Sequence, residues 1–501
     1  MSKIQGLIKD TAIYGISSIV GRFLNYLLVP LYTYTLKSLA DYGIVNDLYA
    51  MTAIVLVILT FGMETTFFRF MNKEERPMEV LSTALIMVGG VALVFVAVVL
   101  ALLPQVAAAL GYEEHPWYIG MMAIIVGMDA FQAILFSYLR YKKRPIRFVT
   151  LKMLFILLSC TLNVLAYAVI PKFVDNWEIT VTYTVVINLV CTSVVMLCFI
   201  GELRECRWRF NRGYCRSMLA YTWPLLILGI AGILNQVAGQ LMLPRVLPRE
   251  EGRAALGIYG ACVKVAMVMA MITQAFRYAY EPFVFSQTKE RDSKETYAMG
   301  MKFFIIFTLF AFICVIAYLP LLQRIVDEKY RVGMDIVPIV MAAEIMMGIY
   351  FNLSFWYKLI DKTIWGAIFS ISGCVVLIVV NYLFIPRYGY MACAWAGFAG
   401  YFTAMILSYI VGQKKNKIDY DLKSIMTYIV ITAAMYFAMR YTMGLVDSQL
   451  LKMAIGTVFV ILFIAHVLYH DLPLRSIPVI GKRIPLPTPS KEDRHAPDGN
   501  S

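Results

Sequence analysis

Three basic residues sit inside long apolar runs: Arg22, Lys264 and Arg277. A cation at the middle of a membrane span costs about 2.5–3.5 kcal/mol on insertion scales, so each needs a reason to be there. In TAIYGISSIVGRFLNYLLVPLYTYTL, residues 11–36, the positions Gly15, Ser18, Arg22 and Asn25 are spaced to share one helical face. Ser18 and Asn25 can hydrogen-bond a guanidinium, and Gly15 leaves room above it. The chemistry this suits is the wall of an anion-binding cavity; the alternative is an internal ion pair with an acid on a neighbouring span. Lys264 and Arg277 are thirteen residues apart, which at 100° per residue places them about 140° apart around a helix. A straight helix would aim only one of them into a cavity. Lys264 is expected roughly 10 Å from the end of its span, within snorkelling reach. Arg277 has Glu281 four residues on as a local partner.

Acids and amides accompany them. Asp129, with Gln132 one turn on, and Glu344 lie mid-span. Either acid could neutralise an arginine or carry a coupling proton or cation, with the partner role preferred. Asn235, Gln236 and Gln240 suit sugar hydroxyls and equally suit helix–helix hydrogen bonds. Pro224 is expected to kink its helix.

The elements that carry these residues are membrane helices. The chain has 501 residues, 60% hydrophobic and 15% charged, against about a quarter charged in an average globular protein. Apolar runs of about 20 residues, enough to cross a bilayer as helix, recur along it. Fourteen spans are expected: 11–36, 42–68, 79–104, 117–140, 148–170, 179–200, 218–247, 256–284, 298–319, 335–356, 364–385, 391–411, 424–442 and 451–470. The fold class is all-α polytopic membrane protein, with no β-barrel alternation. The net charge of +13 sits in alternate loops, as in Arg140, Lys142, Lys143, Arg144 and Arg147. That is the positive-inside pattern rather than a nucleic-acid footprint, and it places both termini in the cytoplasm. The basic opening MSKIQGLIKD reads as the start of an uncleaved span. Seven of nine cysteines fall in spans, and Cys206 and Cys215 in a cytoplasmic loop, so no disulfide is expected.

The chain also repeats. Pro30 is followed thirteen residues later by Gly43, and Pro244 thirteen residues later by Gly257, both pairs offset by 214. Two parallel six-span lobes follow, a transporter plan with its site between repeats. The expected organisation is an N-lobe with its linker over 1–217, a C-lobe over 218–411, two appended spans over 412–470 and a polar cytoplasmic tail over 471–501.

Absent chemistry narrows the function. The sequence has no phosphate-binding G-x-x-x-x-G-K-[ST] loop, no H-E-x-x-H, and only four histidines, His115, His466, His470 and His495. The longest external loop is expected around Gln105–Pro116, too short for the catalytic segment of a membrane glycosyltransferase. The chain therefore reads as a non-enzyme.

With its arginine in the first span, its proline near the end of that span and the acidic-Tyr-Gly turn into the second, GISSIVGRFLNYLLVPLYTYTLKSLADYGIVNDLYAM resembles the multidrug/oligosaccharidyl-lipid/polysaccharide (MOP) exporters. Within them it resembles the polysaccharide transporter branch, the Wzx-type flippases. The resemblance implies two lobes around a central cavity that opens alternately to each side. It implies basic residues of the first and eighth spans lining that cavity, positions that Arg22, Lys264 and Arg277 match by location. It implies a polyprenyl-diphosphate-linked oligosaccharide as cargo, for O-antigen, capsule or exopolysaccharide, in the bacterial cytoplasmic membrane. Membrane lipids and other polysaccharide-assembly proteins are the implied partners, with no nucleic acid and no cofactor beyond a coupling H+ or Na+. Arginine suits a diphosphate because it binds phosphate bidentately. The alternatives are a cation-coupled multidrug antiporter of the same fold, for which Asp129 and Glu344 speak, a lipid II flippase, and a membrane polysaccharide polymerase or ligase.

Overall fold

Local signals set the helix ends. In the computed structural model, which describes residues 26–206, 208–286, 293–359 and 362–471, Pro77, Pro116 and Pro145 each open a helix, where a missing N–H costs nothing. The principal helices are α1 (Leu28–Thr35), α2 (Leu39–Thr60), α3 (Met63–Lys73), α4 (Pro77–Ala101), α5 (Leu103–Leu110), α6 (Pro116–Tyr141), α7 (Pro145–Val164), α8 (Val181–Cys198) and α9 (Ile200–Glu205). They continue as α10 (Arg212–Val246), α11 (Arg249–Ser286), α12 (Ser293–Ala317), α13 (Val337–Leu353), α14 (Phe355–Leu359), α15 (Ile364–Tyr388), α16 (Tyr390–Lys415), α17 (Leu422–Gly444) and α18 (Gln449–His470). Among the described residues 13 helical stretches are long and apolar enough to cross a membrane. They coincide with spans two to fourteen. The first span is described only from Tyr26 onward, so Ser18, Arg22 and Asn25 lie outside the described residues.

Capping fixes the register of α2. The Ser38 hydroxyl accepts from the Asp41 amide at 3.0 Å, and the Asp41 carboxylate accepts from the Ser38 amide at 2.9 Å, a reciprocal capping box. Between α2 and α3 the chain passes through left-handed backbone at Phe61 (φ 35°) and Gly62 (φ 73°). A Cβ on Gly62 would lie 2.7 Å from that of Leu225, so the bend also needs glycine for space. The α10 helix continues through Pro224 and Pro244.

The chain divides into two compact units. The first comprises residues 1–308 and 321–421. In it, α2 to α4 and α6 to α8 share a core that includes Met63, Phe67, Leu81, Leu85, Ile134 and Leu139. A second core, Leu243, Leu256, Ile385 and Cys393, joins α10, α11, α15 and α16. A third, aromatic core holds Tyr280, Phe355, Trp356 and Phe369. The second unit comprises residues 309–320 and 422–501. Within it Tyr318 meets Thr457 at 3.1 Å, Phe312 packs edge-on to Tyr436, and Tyr428 donates to Asp471.

Several expectations are corrected. The eighth span starts at Arg249 rather than 256, leaving two residues between α10 and α11. Lys264 is therefore eleven residues, about 16 Å of helix, beyond Arg253, the last charge on that side. Cys215 lies within α10, not in a loop. The Gln105–Pro116 connection is mostly helix α5, and the stretch from Pro320 to Ile336, folded in short helical turns, is longer. All nine cysteines are free thiols.

Within the first unit the two helix sets meet tightly at the end away from the basic loops. A Cβ on Gly43 would lie 1.9 Å from the Arg253 carbonyl oxygen, and one on Gly257 2.1 Å from that of Leu39. The two glycines that the 214-residue offset pairs thus face each other where α2 crosses α11. One turn on from Gly43, the buried Asp47 accepts from Tyr112 Oη at 2.9 Å and from Arg245 Nη1 at 2.8 Å. Beside it, Arg249 reaches Glu113 at 2.7 Å and Arg253 donates to the Gly111 carbonyl at 2.7 Å. The backbone amide of Glu113 itself, and then Arg249, hold the Glu113 carboxyl below the usual carboxylate range. Arg245 keeps 36% of its side chain exposed, so the Asp47 pair ranks between a surface pair and a fully buried one. Asp47→Ala is expected to destabilise the fold by about 2 kcal/mol. The check is the thermal midpoint of the detergent-solubilised protein, with Asp47→Asn losing less because it keeps an acceptor for Tyr112.

Candidate functional site

A cavity of about 410 Å³ lies among α10, α11, α13 and α16. Its polar walls come from Asn235, Gln236 and Gln240 of α10, Tyr259 and Lys264 of α11, Glu344 of α13 and Tyr401 of α16. Tyr26, in the first span, closes one side. Five residues singled out from the sequence, Asn235, Gln236, Gln240, Lys264 and Glu344, are therefore brought together. They reach one chamber because α10 and α11 form a tight hairpin, and α13 and α16 pack against α11.

The groups inside differ in how well they are satisfied. Asn235 Nδ2 donates to the Ala231 and Ser370 carbonyls at 3.0 and 3.1 Å, while its buried Oδ1 has no partner. Gln236 Nε2 is 3.5 Å from the Gly232 carbonyl. Glu344 is close enough for its charge to act on both Tyr259 and Tyr401. Lys264 forms no hydrogen bond or ion pair with any described residue. Mid-span, such an ammonium is tolerated only where a polar cavity replaces its water.

The α11 wall runs from Tyr259 through Val263, Lys264 and Met267 to Ala270. At 100° per residue, Tyr259 and Lys264 mark its two edges, about 140° apart. Arg277, eighteen residues after Tyr259, returns to the same azimuth. The cavity thus covers a broad face of α11, with Lys264 at one edge. Arg277 does not line the cavity; it lies about 10 Å beyond Ala270 toward the basic loops, its guanidinium 4.6 Å from the centre of the Phe351 ring. The side chain of Glu281 lies outside the described residues.

Asp129 and Gln132 are elsewhere, in the N-terminal helix set. Thr192 Oγ1 donates to Asp129 at 3.5 Å, Gln132 Nε2 donates to the Thr192 carbonyl at 3.0 Å, and Lys152 is near enough to share charge with Asp129. These contacts tie α6 to α7 and α8. A second cavity, about 450 Å³, is lined mostly by apolar groups such as Leu48, Met51, Phe95, Met122 and Leu241, with Thr52 and Arg245 as its polar side chains. Among the described residues no cluster of three or more His, Cys, Asp or Glu could hold a metal ion. Sequence reasoning passed over Tyr26, Tyr259 and Tyr401. The available signal was a phenol inside an apolar span, which needs a partner for its hydroxyl.

A family model described as "Polysaccharide biosynthesis protein" matches residues 7–289. No curated protein matches. Among solved structures, the lipid II flippase MurJ in an inward closed conformation superposes with TM-score 0.73 at 15% identity, over 92% of this chain and 99% of that one. An inward-facing multidrug resistance MATE family transporter superposes with TM-score 0.59 at 14% identity, over 78% and 93%. A MOP superfamily transporter from Pyrococcus furiosus gives 0.58 at 14%, over 83% and 98%. At such identities the likeness is one of fold.

Proposed function

The chain belongs to the polysaccharide biosynthesis protein family of MOP-superfamily transporters, and from that premise we propose that it flips a polyprenyl-diphosphate-linked oligosaccharide across the bacterial cytoplasmic membrane. The observation that carries this reading is Lys264, an ammonium with no hydrogen-bond or ion-pair partner among the described residues, facing a cavity of amides and phenols. A diphosphate is too costly to bring bare through hydrocarbon, and an unpartnered cation offsets that cost. At about 410 Å³ the chamber suits a diphosphate and its first sugar, whose hydroxyls Asn235, Gln236 and Gln240 can bond. Arg22 joins the same wall in this proposal, since it precedes the cavity-lining Tyr26 by four residues and shares its face on a continuous helix.

In this account both termini are cytoplasmic, the basic loops face the cytoplasm and the Gly43–Gly257 crossing lies on the outer side. The lobes cover 1–217 and 218–411, with 412–470 as appended spans, and rock about that crossing. No nucleotide motif is present to drive the motion, so an ion gradient or consumption of product supplies it.

Glu344, in the same cavity, favours a second reading, a cation-coupled multidrug antiporter. Depletion in a strain that depends on the protein separates the two. Surface glycan is expected to disappear while drug susceptibility stays unchanged. Lost drug resistance with intact glycan would instead favour the antiporter.

A further inference from the structure

The first turns of α10 bury one side and show the other. Met218, fully buried, joins the core of α2 to α4 and α6 to α8, with Tyr214 and Tyr221 packed beside it. Arg212, Arg216, Leu219, Trp223 and Ile227 are spaced by three or four residues, so they form one stripe within about 40° of Trp223. All five are exposed, Trp223 by 63%. Farther along the same helix, the cavity amides of Asn235, Gln236 and Gln240 lie about 100–140° away from the stripe. The stripe therefore looks away from the cavity.

Its chemistry is graded. Arg216 is about 10 Å, and Arg212 about 16 Å, before Trp223 along the helix axis. Helical side chains lean toward the N-terminus, which carries both guanidiniums farther outward. Tryptophan settles at the boundary of headgroups and hydrocarbon. With Trp223 at that depth, the guanidiniums stand among headgroups and Ile227 lies in hydrocarbon. Neither arginine has a hydrogen-bond or ion-pair partner among the described residues. The Asn211 side chain already takes the amides of Gly213 and Tyr214, and Glu79, which reaches this cap, is bonded to Asn211 and Arg76. What the helix offers here is two guanidinium forks, one turn apart, above an apolar face.

We propose that this stripe binds one anionic phospholipid of the leaflet next to the basic loops. Arg212 and Arg216 hold its phosphate, and an acyl chain lies along Leu219, Trp223 and Ile227. Guanidinium binds phosphate bidentately, and basic clusters beside a membrane helix recognise anionic headgroups. Facing away from the cavity, the stripe suits a resident lipid rather than cargo. That lipid anchors the helix that also supplies Asn235, Gln236 and Gln240.

The test is lipid binding by the purified full chain in detergent, titrated with dioleoyl phosphatidylglycerol or dioleoyl phosphatidylcholine and read by native mass spectrometry. Wild type is expected to hold one phosphatidylglycerol at least tenfold more tightly than phosphatidylcholine. Arg212→Gln/Arg216→Gln is expected to lose that preference, and Trp223→Ser to weaken both lipids at least threefold. Lys142→Gln/Lys143→Gln, which removes two exposed charges elsewhere in the basic loops, is expected to stay within twofold of wild type. An equal loss in the lysine variant would overturn the site in favour of a diffuse attraction by the basic loops. An unchanged preference in an arginine variant that elutes as a folded monodisperse peak would overturn it outright. Polyprenyl diphosphate displacing phosphatidylglycerol at a tenth of its concentration would assign the stripe to cargo and overturn the resident lipid.

Discussion

Lys264→Glu is expected to reduce surface-glycan export at least hundredfold, with Lys264→Gln intermediate and Lys264→Arg within about fivefold of wild type. A hundredfold loss corresponds to about 2.8 kcal/mol. Two unit charges 4 Å apart interact by about 4 kcal/mol at an effective dielectric of 20, so replacing attraction by repulsion is ample. Among the described residues Lys264 has no ion pair to break, which separates this residue from Arg245, whose loss would strand Asp47. The Glu variant also places a second carboxylate in the cavity with Glu344. Export is measured by complementation in cells lacking the wild-type protein, with variant abundance in the membrane fraction checked in parallel. Normal export by an abundant Lys264→Glu protein would remove this cation from the transport path.

Gly257→Leu is expected to separate α2 from α11 and to bring transport to background. The clash is with backbone: the new Cβ would start 2.1 Å from the Leu39 carbonyl oxygen and 3.2 Å from the Gly43 nitrogen. Neither atom can rotate away, so the helices must part by about 1 Å or more at the crossing, and close packing passes that shift to the neighbouring contacts. Asn46, whose amide lies beside Gly260 at the same crossing, is the reporter. With native cysteines replaced, Asn46→Cys is expected to react with a membrane-impermeant maleimide at least tenfold faster when Gly257 is Leu. Gly43→Leu, which meets the Arg253 carbonyl, should act alike. An unchanged labelling rate would mean that this crossing does not govern access from its end.

Most of the architecture was legible because its determinants are local. Apolar runs and the prolines at residues 77, 116 and 145 give most span ends to within a few residues, while the Pro/Gly offset singled out two glycines without saying that they meet across the helix pair. What escaped is pairing at a distance. Asp47 and Arg245 are 198 residues apart, and each alone looks like an ordinary charge near a span end. The sequence did hold a hint, since Asp47 is one turn from Gly43 and Arg245 adjoins Pro244. For the site, residue type picked out five polar positions inside apolar helices that line one cavity, but type could not say that Asp129 and Gln132 lie elsewhere, bonded to Thr192. The width of the α11 face was equally hidden, because spacing gives the angle between Lys264 and Arg277 but not how much of the helix the cavity covers.

The central claim is that the Lys264 cavity carries a lipid-linked diphosphate. Its most direct test is translocation of a fluorescent polyprenyl-diphosphate glycan in vesicles containing the purified full-length protein. Wild type is expected to move the diphosphate-linked glycan at least tenfold faster than protein-free vesicles, to leave a neutral polyprenol-linked analogue at the protein-free rate, and to lose this activity in Lys264→Glu. Equal rates for the two lipids, or full activity of Lys264→Glu, would contradict it.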